Sequence, residues 1–212
     1  IPTHCNAIFA ISRIHGDGEI RPMPIGFTTV LHIANVAQRC LLRKQESSLF
    51  AWKKKPVSAK TLVMKLRSST PTQWTSTVLA NFDAFLLDHA SAERKASATA
   101  LSLLAHYPDR SELVEAMTDL AQEELSHFAQ VCRILAKRKL ILRHDEKDRY
   151  VRSLRSLARS SHEEYLMDRL LIAGIIEARG CERFGLIGQA LPLGELKDFY
   201  LEITRSEARH AG

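Results

Sequence analysis

The sequence predicts an all-α protein, a four-helix bundle with a longer crossover connection in its middle. Three observations lead there. From Pro71 onward, apolar residues recur every three to four positions, the period of one helix face. The periodic stretches are long and joined in pairs by short turns, with one longer polar connection between the pairs. Acidic residues interrupt every apolar stripe, which an ordinary core does not tolerate.

The elements follow in order. The first helix carries Trp74, Val78, Phe82, Phe85, Leu86, His89, Ala92, Ala96, Ala100 and Leu104 on one stripe, and is read as continuous. Pro108-Asp109 ends the connection, and Asp109 with Glu112 is a capping-box start for the second helix. That helix runs through Leu113, Met117, Leu120, Phe128, Val131 and Leu135 to the basic end Lys137–Lys139, which suits the negative pole of its dipole. A polar segment around Arg143 to Lys147 leads to a short basic helix near Tyr150 to Ser160. The third long helix spans about His162 to Gly188 with Leu166, Leu170, Ala173, Cys181 and Phe184. After Pro192-Leu193-Gly194, the fourth carries Leu196, Phe199, Ile203 and Ala208 and is cut by the chain end at Gly212. Two helix pairs around a central crossover is ferritin-like connectivity.

Residues 62–212 are therefore expected to form the bundle, incomplete at its C-terminus. Residues 1–61 read differently: Gly16, Gly18, Pro22 and Pro24 fall close together, and Lys53-Lys54-Lys55 precedes Pro56. They are expected to be a basic arm or a non-native extension with little regular structure, the native start lying near Met64. Residues 1–70 carry a net +8 against +6 for the full sequence, so the basic pI belongs to this part and the body is slightly acidic. The body's own basic region is Arg133 to Arg159, locally +7. A content of 45% hydrophobic and 25% charged residues describes a globular protein and excludes wholesale disorder. No run of about 18 apolar residues suggests a membrane span. The four cysteines form no CxxC pair, which argues against a zinc ribbon or redox motif and fits a cytoplasmic location.

The interrupting acids form a pattern. Glu93 lies on the first stripe, Glu124 on the second with His127 three residues on, Glu177 on the third, and Glu207 on the fourth with His210 three residues on. Glu93 and Glu124 are 31 residues apart, Glu177 and Glu207 30. Positions i and i+3 share a helix face. Four buried carboxylates at one level repel each other unless cations sit between them. Lone Glu, Glu-x-x-His, lone Glu, Glu-x-x-His is the ligand set of carboxylate-bridged di-iron bundles, and its oxygen and imidazole donors suit iron or manganese. His89, one turn before Glu93, together with Asp88 and Arg179, are candidate supports that orient ligands. Glu123, Glu163, Glu164 and Glu202 lie off the stripes and are expected to be solvated.

Four segments carry a family resemblance: Leu86-Leu87-Asp88-His89-Ala90 with Ala92-Glu93-Arg94-Lys95-Ala96; Glu123-Glu124-Leu125-Ser126-His127-Phe128; Ile175-Ile176-Glu177-Ala178-Arg179 with Cys181-Glu182-Arg183-Phe184; and Ser206-Glu207-Ala208-Arg209-His210. Over about residues 62–212 the sequence resembles the tRNA 2-methylthio-N6-isopentenyl-adenosine hydroxylases, the MiaE family. The resemblance implies a non-haem di-iron monooxygenase that uses O2 and an external electron donor, a reductase or ferredoxin-type protein. It implies hydroxylation of the isopentenyl side chain on the modified adenosine 3′ of the anticodon, so the partner is a tRNA anticodon stem-loop. By position, Glu93, Glu124, His127, Glu177, Glu207 and His210 are the implied iron ligands. For the RNA surface, Arg152, Arg155 and Arg159 recur at helical spacing in the basic connection, with Arg149 beside them. The rival readings are a ferritin-like iron-oxidising or iron-storage protein without an RNA substrate, and a catalytically silent RNA-binding or structural bundle.

Overall fold

The computed structural model describes residues 66–210. Among them are six helices and no strand: α1 (Thr72–Ala80), α2 (Phe82–His106), α3 (Ser111–Lys137), α4 (Arg149–Arg155), α5 (His162–Ala190) and α6 (Glu195–His210). The expected arm over residues 1–61 lies outside the described residues. Helix α2 pairs with α3 and α5 with α6, and residues 138–161 cross between the pairs, giving a ferritin-like bundle.

The expected continuous first helix is broken at Asn81, whose backbone (φ −130°, ψ 42°) leaves the helical region. Its side-chain amide donates to Thr77 O at 3.0 Å, an alternative to the backbone ladder that short amide side chains offer. The expected capping box at Asp109 and Glu112 is also replaced. The N-cap of α3 is Arg110 and receives no side-chain bond. The Arg110 guanidinium is drawn inward, pairing with Glu163 and lying 5.4 Å from the Tyr107 ring centroid. A carboxylate does cap α4: Asp148 Oδ1 accepts from the Tyr150 and Val151 amides at 2.6 and 3.2 Å. Helix α4 ends at Arg155, short of Ser160, because the backbone turns back so that the Arg159 amide and guanidinium reach Asp168.

Within each pair the helices pack closely. Ser97 Oγ donates to Ala121 O at 2.8 Å between α2 and α3. Between α5 and α6, a methyl at Gly188 would lie 2.9 Å from Leu201 Cδ2, so glycine permits that crossing. Helix α3 closes with Leu140 N–H bonded to Leu135 O at 2.9 Å and Lys139 at φ 57°, a left-handed cap of the kind glycine usually fills.

The core comes in two pieces. One end holds Trp74, Phe85, Leu86, Val131, Leu135, Phe184, Ile187, Tyr200 and Ile203. The other holds Leu103, Tyr107, Leu113, Met117, Leu166 and Leu170. Each such residue contributes about 1.5–3 kcal/mol when fully buried. Between the two pieces lies a layer of acids and histidines.

Candidate metal centre

Helical spacing delivers these acids and histidines to one level. Glu93 and Glu124 come from the antiparallel α2 and α3, Glu177 and Glu207 from α5 and α6, and His127 and His210 stand one turn beyond their glutamates. Glu93, Glu124, His127 and Glu207 are all buried; Glu177 is partly covered. His127 Nδ1 lies 3.6 Å from Glu93 Oε2, 3.8 Å from Glu124 Oε2 and 3.6 Å from Glu207 Oε1. His210 Nδ1 lies 2.9 Å from Glu124 Oε1 and 3.9 Å from Glu207 Oε2. One ligand atom from each of Glu93, Glu124, His127 and Glu207 falls within 4.8 Å of the others, as does one from each of Glu124, Glu177, Glu207 and His210. The two groups share Glu124 and Glu207.

Whether these residues fit a metal pair is tested by their unsatisfied atoms. Glu124 Oε1, His127 Nδ1, Glu207 Oε1 and His210 Nδ1 are buried without a well-formed hydrogen bond, the 2.9 Å approach of His210 Nδ1 to Glu124 Oε1 being an ion-pair contact alone. Leaving such atoms unpaired costs about 1–3 kcal/mol each, more for charged groups. Burial and then the Glu207 charge raise the Glu93 and Glu177 carboxyls well above the usual carboxylate range. Burial pushes the His210 imidazolium down, but the Glu124 and Glu207 carboxylates beside it win and raise its pKa to about 11. Such a cluster is neutralised by protons or by cations, and its four carboxylates and two imidazoles fit a pair of iron or manganese ions.

The supporting residues differ in part from expectation. His89 is fully buried behind Glu93. Burial, reinforced by the His127 charge, lowers its pKa to about 3, so the ring is neutral. Its Nε2 is 2.6 Å from Glu93 Oε1, and its Nδ1 is 3.1 Å from the Tyr200 hydroxyl. With Glu93 ionised, Nε2–H donates to the carboxylate and Tyr200 O–H donates to Nδ1. Arg179 does not support a ligand: it donates to Ser68 O and Glu182, both at 3.1 Å. Asp88 lines the rim of the cavity described below.

Glu123, expected to be solvated, is instead half-covered and braces His210. Its Oε2 is 3.0 Å from His210 Nε2, and Oε1 accepts from Arg209 and from the Ser206 hydroxyl. Burial works against its ionisation, but the bonds from Ser206 and His210, the His210 charge and Arg209 hold its pKa down to about 2. Neither Glu123 nor Tyr200 is legible as a support in the sequence, since their partners lie 87 and 111 residues away. The only sequence signal is the adjacency of Glu123 to Glu124.

A cavity of about 780 Å³ reaches the cluster from one side, between α2 and α5. Small and apolar residues line its inner part: Ala92, Ala96, Ala100, Ala173, Ile176 and Gly180. Glu93, Glu124, Glu177 and Glu207 form its inner end. The crossover covers it, strapped to α2 by Ser91 Oγ donating to Asp145 at 2.6 Å, by the Arg94–Asp145 pair, and by Lys95 donating to Glu146 O at 3.0 Å. Arg152, Arg155 and Arg169 also line it, beside Asp145, Glu146, Lys147 and Asp148 of the crossover. Arg149 is exposed on the same helix as Arg152 and Arg155, whereas Arg159 is engaged by Asp168 and Glu164, both at 2.7 Å.

Comparison with known proteins agrees with this geometry. Residues 57–212 match the family model described as tRNA-(MS[2]IO[6]A)-hydroxylase (MiaE). The chain is 42% identical over 141 residues to the tRNA 2-(methylsulfanyl)-N(6)-isopentenyladenosine(37) hydroxylase of Pseudomonas putida, covering 66% of this chain and 68% of that one. It is 36% identical over 99 residues to the Salmonella typhimurium protein of the same name, covering 47% of this chain and 36% of that one. Among solved structures it resembles protein 43 with aldehyde deformylating oxygenase activity from Synechococcus, at a TM-score of 0.66 and 34% identity over 69% of this chain and 73% of that one. On the extent of these matches, the chain belongs to the MiaE family of tRNA hydroxylases.

Proposed function

We propose that this protein is a di-iron, O2-dependent monooxygenase that hydroxylates the isopentenyl side chain of the hypermodified adenosine 3′ of the anticodon in tRNA. One observation carries the reading: the four glutamates of the Glu/His cluster line a largely apolar cavity that Arg152, Arg155 and Arg169 also line. Its volume of about 780 Å³ falls within the roughly 300–1,000 Å³ of small-molecule pockets. An iron-storage protein has no need of an organic-sized chamber ending on its ligands.

Glu93 and His127 would hold one ion and Glu177 and His210 the other, with Glu124 and Glu207 shared. Iron bound there would supply O2 activation: one oxygen atom enters a C–H bond of the isopentenyl group and the other leaves as water, with two electrons from an external reductase or ferredoxin-type donor and two protons. The protein's own residues set the conditions. Ala92, Ala96, Ala100 and Ala173 leave room for the isopentenyl group and exclude water from its reacting end. His89, held by Tyr200, fixes the Glu93 carboxylate, and Glu123 fixes the His210 ring. The target base leaves its stack in the anticodon loop to enter, while Arg149, Arg152 and Arg155 face the RNA backbone. Such a substrate places the enzyme in the cytoplasm, and no helix among the described residues is long and apolar enough to cross a membrane.

Two measurements test this: iron content after anaerobic reconstitution, and nucleoside analysis of tRNA from cells lacking the gene. Near two irons per protein molecule and loss of the hydroxylated nucleoside, restored by the wild-type gene but not by Glu124→Ala, is the expected result. Iron binding with an unchanged nucleoside profile would favour the iron-oxidising alternative.

A further inference from the structure

The crossover region holds many cations, but they are not equivalent. Arg94 pairs with Asp145, Arg138 with Asp83, and Arg159 with Asp168 and Glu164. Arg155 and Arg169 both line the cavity, and neither forms an ion pair with a carboxylate of the described residues. Arg155 donates only to a neutral oxygen, Thr99 Oγ1 at 3.3 Å. Arg169 donates to the Tyr165 hydroxyl at 2.7 Å and lies 5.4 Å from that ring's centroid, which fixes its plane.

Asp145, Glu146 and Asp148 line the same cavity, but none of them pairs with Arg155 or Arg169. Asp145 is held by Ser91, Arg94 and Lys95. Asp148 Oδ1 caps α4. Two guanidiniums from different elements, Arg155 of α4 and Arg169 of α5, thus line one cavity without a paired carboxylate among the described residues. The Arg155 guanidinium is pushed down by burial and further by the like charge of Arg169. Convergent like charges are unfavourable unless an anion joins them, and guanidinium forks match phosphate oxygens in shape and charge.

We propose that Arg155 and Arg169 form a subsite for the phosphodiester next to the target nucleotide, gripping the backbone where the base turns into the cavity. The subsite rests on the tRNA-hydroxylase reading and deepens it: it separates a specific clamp from the diffuse attraction of Arg149 and Arg152, and it replaces Arg159 with Arg169.

The test uses the full-length protein and an anticodon stem-loop carrying the isopentenylated adenosine. The stem-loop is made with natural linkages, or with one neutral methylphosphonate on the 5′ or the 3′ side of the target. Binding is read by fluorescence anisotropy at fixed salt. In the wild type, one of the two methylphosphonates weakens binding about tenfold. In Arg155→Gln/Arg169→Gln, the natural stem-loop binds about tenfold more weakly, and the same methylphosphonate makes no further difference. Iron content and melting temperature stay at wild-type values, and Arg155→Lys/Arg169→Lys recovers part of the binding.

A wild type that binds all three stem-loops equally overturns the subsite alone, as does a methylphosphonate penalty undiminished in the double Gln variant. A wild type that binds none of them overturns the tRNA reading and the subsite with it. Inorganic phosphate at matched ionic strength is expected to compete weakly. Competition as strong as that of unlabelled stem-loop would assign the pair to free phosphate and overturn the proposal.

Discussion

The two sides of the Glu/His layer are built from opposite materials. Behind Glu93 the space is filled by rings. His89 sits 4.4 Å from Phe184 and 5.5 Å from Tyr200 by ring centroids, with Phe85 beside them. Those residues are at most 3% exposed. In front of the layer, alanines and a glycine from α2 and α5 leave a cavity that residues 145–148 of the crossover and α4 also line. One side is a sealed wall that holds Glu93 in place, and the other is open space. The lesson is directional: large rings seal the layer behind Glu93 and small residues leave space before it, with no change in the Glu and His residues themselves.

That contrast can be broken, beginning with the layer. Glu124→Ala removes a carboxylate common to both ligand groups, so most bound metal should be lost and hydroxylation should fall below detection. Metal analysis beside nucleoside turnover checks both. Filling the open side comes next. Ala173→Phe should lower hydroxylation about 100-fold by displacing the substrate, with iron content and melting temperature nearly unchanged. If it melts the protein instead, the cavity is not open space.

Glu123→Gln keeps the shape of the brace but removes its charge, and metal affinity should fall by about 10–100-fold on competitive chelation. Protonation offers a further probe. In the metal-free protein, His210 rises from 6.5 to about 11 and the Glu93 and Glu177 carboxyls lie well above 4.5, so the folded state binds more protons than the unfolded one. Stability must then fall as pH rises from 6.5 toward 11. Thermal melts should show this decline without metal and a smaller one with it. Glu123 acts oppositely, its stabilisation being lost as pH drops from 4.5 toward about 2. The smallest effect belongs to the wall. Tyr200→Phe leaves His89 Nδ1 without its donor, costing about 1–3 kcal/mol, or a few degrees of melting temperature, while substrate KM stays constant. A KM change there would mean the wall takes part in substrate access.

Much of the layer is legible in the amino-acid sequence, because periodicity constrains a helix strongly. A residue on the stripe of α3 faces the core, and its i+3 neighbour faces it too, so Glu124 with His127 and Glu207 with His210 follow from spacing alone. His89 follows by the same rule from Glu93. What the local pattern misses depends on partners outside its window. Asn81 breaks the first helix through its bond to Thr77 O. Arg110 leaves its turn for Glu163 on another helix. Glu123 looks like a surface acid until α6 places His210 against it. Arg159 shares a helical spacing with Arg152 and Arg155, but the helix ends first and Asp168 captures it.

Sequence by itself determined the four long helices, their pairing and the six residues that meet at one level, since those properties follow from hydrophobic period and connection length; it did not determine the break at Asn81 or the end of α4. Tertiary structure alone decided that Glu124 and Glu207 belong to both ligand groups, that the cavity opens between α2 and α5, and that Arg169 rather than Arg159 lines it. These depend on how far each helix is rotated about its axis and on the path of the crossover. Both are set by packing between residues distant in sequence, which no local period encodes.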